Sequence, residues 1–182
     1  AELGMPISIH VADPIWMYEK MDSTNDGLMN AQDWRIDMTE TGIRGFDEMI
    51  QTLENAVRDN PRTIFVACHF INLNHDMEKL GDLLDKYPNL YADISARYAE
   101  SAVIPRYMNT FYEKYQDRLL YGTDMNFDTS MYRITFLVLE SSDEHFYEIG
   151  LFNYHWALNG FGLPDTVLKK LYHDNAVKLG IK

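Results

Sequence analysis

The sequence predicts an α/β protein built on a parallel sheet, and three observations carry that prediction. Short apolar runs at Pro6-Ile7-Ser8-Ile9, Thr63-Ile64-Phe65-Val66-Ala67-Cys68 and Leu119-Leu120-Tyr121-Gly122 are nearly continuous rather than alternating, as in strands buried on both faces. Between them lie segments whose apolar residues recur at helical spacing. Alternation of strand and helix implies right-handed crossovers and a parallel sheet with helices packed outside it. Finally, each run ends in a residue able to bind metal or move a proton, namely His10, His69 and Asp124. The carboxyl ends of parallel strands are where such sheets place their chemistry.

The elements follow in order. After the first strand and His10, residues 11–45 show no clean period and read as a long loop. Loops of that length in compact domains are usually lids or disordered insertions, and Trp16, Tyr18 and Trp34 favour the lid. Phe46, Met49, Ile50, Leu53 and Val57 then mark an amphipathic helix to Asp59, stopped by Asn60-Pro61. The strand Thr63 to Cys68 leads to a helix marked by Met77, Leu80, Leu83 and Leu84, ending before Tyr87-Pro88-Asn89. A short strand runs from Leu90 to Ile94. Pro105 opens the next helix, where its missing N–H costs least, with Met108, Phe111, Tyr112 and Tyr115 as its apolar stripe. The strand Arg118 to Gly122 delivers Asp124. Tyr132 to Glu140 reads as a helix, and a final helical pair starts at Pro164 and ends at Gly180.

Composition bounds the function. A chain of 182 residues is long enough for one packed domain, which residues 1–182 are taken to form. The formal charge of −12 gives no basic footprint for nucleic acid or for an anionic membrane. No apolar run approaches the roughly 20 residues of a membrane span. The single Cys68 cannot make an internal disulfide; it leaves the compartment open, with a lean toward a reducing, cytoplasmic one, and its place in a strand suggests plain burial. The expected partner is a small molecule.

Two imidazoles and a carboxylate suit zinc or a similar divalent ion, although a histidine after a strand is more often simply a hydrogen-bonded core or loop residue. Arg97 follows the third strand and suits an anionic substrate, or else forms a surface ion pair with Glu100. Asp13, Trp16 and Tyr18 are candidates to line a pocket, with loop packing as the alternative. His75 sits at a helix start and reads as capping, Asp93 as a hydrogen-bonding residue, and His145, His155 and His173 as surface or packing residues.

On these segments the chain resembles the amidohydrolase superfamily, in particular the amidohydrolase-2 branch of metal-dependent TIM (β/α)8 barrels. Pro6-Ile7-Ser8-Ile9-His10 is similar to that family's fifth-strand segment, and Thr63 through His69 to its sixth. Tyr87 through Arg97 is similar to the seventh, and Lys114 through Gly122-Thr123-Asp124 to the eighth, with Asn175-Ala176 in the tail. The resemblance implies the carboxyl-terminal half of a barrel, strands 5–8. It implies His10, His69 and Asp124 as metal ligands, His69 alternatively orienting a bound water, and Asp124 as the acid–base residue. Hydrolysis of a C–N or C–O bond is the expected activity, with decarboxylation or a non-catalytic half-barrel as alternatives.

One departure limits this. The family carries a His-x-His pair on its first strand, and no two of the six histidines here are so spaced. Metal binding by this chain is therefore expected to be weak, since a stable zinc site takes about four ligands. An open half-barrel also leaves sheet edges and an inner face to be covered. A homo-oligomer is the expected cover, with the long loop or the tail as substitutes.

Overall fold

The computed structural model describes residues 4–181. Four strands, β1 (Ile7–Ile9), β2 (Phe65–Ala67), β3 (Leu90–Asp93) and β4 (Leu119–Leu120), form one sheet in chain order. All three pairings are parallel, and Ile9, Ala67, Ala92 and Leu119 share one register row. The sheet is open, so β1 and β4 are edges. This is an α/β fold consistent with half of a TIM barrel.

The helices are α1 (Leu28–Trp34), α2 (Phe46–Asp59), α3 (Met77–Lys86), α4 (Tyr98–Ser101), α5 (Pro105–Tyr115), α6 (Thr129–Glu140), α7 (Asp165–Lys169) and α8 (Asn175–Lys178). Helix α2 buries Phe46, Ile50, Leu53 and Val57, and the Glu48 carboxylate turns back to accept from the Gly45 N–H at 3.2 Å. Asp76 caps α3 by accepting from the Lys79 N–H, and Pro105 occupies the first turn of α5. Their apolar faces meet Phe65, Ala67, Leu90, Ala92 and Leu119 on the outer side of the sheet. Each fully buried leucine there, such as Leu53 or Leu84, contributes about 1.5–3 kcal/mol.

The opposite, inner face is covered within the chain. Val66, Tyr91 and Leu120 pack under Ala176 and Leu179 of the tail, beside Ile64. The Tyr121 N–H donates to Leu171 O at 3.0 Å, and the Asn175 amide donates to Gln116 O and Leu119 O at 2.8 and 2.7 Å. One π-helical turn, Lys170–Asp174, lets α7 run into α8, so the expected helical pair is one continuous run that ends at left-handed Gly180. The tail is thus the cover present within the chain. No helix among the described residues is long and apolar enough to cross a membrane.

Some expectations need correction. The first apolar run is not buried on both faces, because β1 is an edge strand paired only to β2 and Ile7 is 45% exposed. The other strands are shorter than read from sequence, since parallel pairing stops where the chain turns toward the site. Residues 11–45 are more ordered than a loop. They hold a 3₁₀ turn at Ile15–Met17 and helix α1, and the Asn25 amide donates to Trp16 O at 2.9 Å. Gly27 admits this packing by size alone, because a Cβ there would lie 2.4 Å from the Trp16 ring.

Candidate active site at the strand ends

Strand alternation sets which residues share a face. Ser8, Val66 and Tyr91 pair across the inner face, and two positions further along come His10, Cys68 and Asp93. The 3.5 Å approach of Ser8 Oγ to Cys68 Sγ agrees with this placement. His10, Cys68 and Asp93 therefore share one row of the inner face, with the tail-covered Leu120 level with Asp93.

His69 is held hardest. Its backbone N–H donates to Asp93 Oδ1 at 2.9 Å, and the same oxygen accepts from the Ser95 N–H at 3.0 Å and from the Ser95 hydroxyl. The His69 ring places Nδ1 2.9 Å from Ser95 O. A carbonyl oxygen can only accept, so Nδ1 carries the proton and Nε2 is left with its lone pair. His69 as a whole is only 5% exposed. His10 meets it edge-on, with ring centroids 4.9 Å apart. His10 is exposed, and its Nε2 donates to Ala12 O at 2.7 Å, which leaves Nδ1 as its free nitrogen. Asp13 lies beside it, Oδ1 3.5 Å from Nε2.

The turn that carries His69 is strained. His69, Phe70, Ile71 and Asn72 all have φ between 53° and 60°, a left-handed run without a single glycine. Left-handed backbone costs about 1–2 kcal/mol per residue. Complete burial of Phe70 and Ile71, with the Asn72 amide donating to Ala12 O at 3.0 Å, offsets that cost. Asp124 follows β4, is exposed, and is also left-handed at φ 62°.

Burial pushes the Cys68 thiol up; the Ser8 hydrogen bond offsets part of this, and the Asp93 and Asp124 carboxylates add to the rise. The half-buried thiol is thus protonated at neutral pH rather than a nucleophile. His75 does not cap α3, a task Asp76 performs. It lays its ring edge on Phe46 at 5.0 Å, and this partial desolvation lowers it from the usual histidine range.

A cavity of about 610 Å³ is walled by the segments that follow β1, β2 and β3 together with His155 and Trp156, and His10, His69, Asp93 and Asp124 are not in its lining. Of the sequence candidates, Trp16 and Arg97 line it, whereas Tyr18 packs on Phe46 with ring centroids 5.8 Å apart and Asp13 stays with His10. Arg97 does pair with Glu100, at 2.5 Å, but the pair is buried, with side chains 11% and 12% exposed, and is no surface bridge. His145, His155 and His173 are exposed, and His155 also reaches the cavity wall. Ser95 and Asn72 were not singled out from sequence. Their only signal there is position, a few residues past strands whose ends were already suspected.

A family model described as Amidohydrolase matches residues 1–179. The chain belongs to the amidohydrolase family. Membership places it in a superfamily of metal-dependent hydrolases and decarboxylases. No curated protein and no solved structure matched it.

The donors present can be tested against the divalent ion this family uses. Among the described residues no three His, Cys, Asp or Glu side chains are grouped so as to hold a metal. His69 offers Nε2, but the Nε2 of His10 is tied to Ala12 O and Asp124 is not drawn into a common cluster. As folded, the set does not fit a metal. The chemistry these residues support by themselves is proton transfer.

Proposed function

We propose that this chain carries the acid–base part of an amidohydrolase site acting on a C–N or C–O bond of a small molecule. The observation that supports this reading is the fixed tautomer of His69, whose Asp93–Ser95 anchor leaves Nε2 as a lone-pair acceptor. In this reading Nε2 takes a proton from water as the oxygen adds to the carbonyl carbon. The proton is returned to the leaving nitrogen or oxygen as its bond to carbon breaks, with the Asp124 carboxylate as carrier. Arg97 and Trp16 position the substrate from the cavity wall, and Asp13 orients His10.

Asp124→Asn is expected to lower the hydrolysis of aryl esters and lactones about 100-fold, the usual scale for one acid–base group. Rates equal to wild type would sink the assignment, and turnover confined to aromatic carboxylates with release of carbon dioxide would replace hydrolysis by decarboxylation. A divalent ion, zinc by the donor chemistry, binds this chain weakly, because two imidazoles and one carboxylate fall short of a closed site. Elemental analysis after purification without added metal is expected to find zinc well below one per chain; a stoichiometric content overturns this.

A further inference from the structure

Helix α6 carries a face that the described residues leave open. Met131, Ile134, Thr135, Val138 and Leu139 turn inward and are buried, whereas Ser130, Arg133, Phe136, Leu137 and Glu140 are exposed. An outward face is ordinarily polar, yet the centre of this one is apolar, with Phe136 39% and Leu137 36% exposed. These residues line an open groove of about 610 Å³, to which Ser141 and Glu148 beyond the helix also contribute. Phe136 is not a loose surface ring. Tyr121, Tyr172 and Tyr132 hold it, with centroids 5.7, 5.4 and 6.1 Å away. A part-exposed ring already fixed in place loses little conformational freedom on docking, which is what an interface anchor needs.

The charges on this face are symmetric about the apolar pair. Arg133 stands three residues before Phe136, and Glu140 three residues after Leu137. At 1.5 Å per residue the two lie about 10.5 Å apart along the helix, too far for the usual pairing within one helix. The positions one turn from Arg133 hold Thr129, Ser130, Phe136 and Leu137, none of them acidic, and among the described residues Arg133 makes no ion pair. Glu140 accepts from the Tyr172 hydroxyl at 3.0 Å through Oε1, with Oε2 as its remaining acceptor. A second copy of the helix laid antiparallel across this face sets each Arg133 against the partner's Glu140 and the apolar pair against itself. A parallel copy in the same register opposes like charges instead. Copies of a chain with net charge −12 repel one another, so a contact between them needs local compensation of this kind.

We propose that the open face of α6 is a homodimer interface, in which two copies of the helix pack antiparallel about a two-fold axis at Phe136 and Leu137, with Arg133 and Glu140 paired between copies. Packed helices lie about 8–10 Å apart, a separation that an arginine–glutamate pair spans at the rim. A single helix of 12 residues falls short of the roughly 1,000 Å² that specific interfaces bury. Phe127, 92% exposed just ahead of the helix, and Tyr147 and Ile149, exposed on either side of Glu148, are the apolar residues that extend it. A small interface of this type gives a dimer of micromolar strength. The assembly is independent of what the strand ends catalyse, and mass rather than activity reports it.

Sedimentation equilibrium of the full chain between about 1 and 200 µM is expected to show monomer and dimer in exchange. Arg133→Glu and Glu140→Arg, each alone, are expected to weaken the dimer about tenfold or more, because two-fold symmetry makes each reversal count twice. Mixed in equal amounts, the two variants are expected to regain a dimer of one copy of each, since every pairing is then again between opposite charges. Leu137→Asp, at the axis, is expected to abolish it, and with Arg133→Glu it decides the matter if Glu140→Arg, which gives up the Tyr172 hydrogen bond, does not fold. A wild-type chain that stays monomeric at about 200 µM overturns the proposal and leaves this face to a different partner. A dimer indifferent to Arg133→Glu and Leu137→Asp overturns it as well, by placing the contact elsewhere, and folded charge variants that remain monomeric when mixed overturn the antiparallel pairing.

Discussion

The two central strands and the two edge strands end in very different ways. At the centre, β2 and β3 deliver His69, Asp93 and Ser95 into a buried knot in which one carboxylate oxygen accepts three hydrogen bonds. At the edges, β1 and β4 deliver His10 and Asp124 to exposed positions, His10 with half its side-chain surface in solvent. A central strand is flanked on both sides, so its end inherits neighbours that fix side-chain geometry. An edge strand has one neighbour, and its end is fixed only by its own loop. In this chain the preorganised half of the candidate site is therefore central.

The largest expected contrast is in stability. Asp93→Ala strands three donors, two of them backbone N–H groups, and is expected to cost about 3 kcal/mol in denaturant unfolding, whereas Asp124→Asn stays within about 0.5 kcal/mol. A loss below about 1 kcal/mol at Asp93 would mean the knot is not what organises the centre. A smaller contrast runs between a covered and an exposed position of the sheet. Val66→Ala, beneath the tail, is expected to cost about 1–2 kcal/mol, while Ile7→Ser on exposed β1 is close to neutral. Equal losses at the two positions would show that β1 is covered in solution, as a strand paired in an assembly would be.

Much of the candidate site was legible in the sequence because its residues sit at ends of apolar runs, and a strand end is a local signal. The position of His10, His69 and Asp124 just past strands was read this way, and the helix of residues 46–59 from spacing alone. Asp93 was recognised as a hydrogen-bonding residue, but its three partners were not, since they converge from two different strands. Trp16 lines the cavity, whereas neighbouring Tyr18 turns to Phe46. No periodic pattern separates those two aromatic residues, because irregular backbone sets their directions.

By itself the sequence determined the order of strands and helices, the parallel sheet and the chemistry-bearing strand ends, all of which depend on local periodicity and on residue type. Only the tertiary structure decided the left-handed turn at His69–Asn72, where burial of Phe70 and Ile71 overrides the backbone preference of residues with a Cβ. It alone decided that Arg97 spends its charge on Glu100 inside the wall, and that α8 covers Val66, Tyr91 and Leu120. The physical reason is common to these cases. Each balances a local cost against contacts between residues far apart in the chain, and such contacts exist only once the chain has folded.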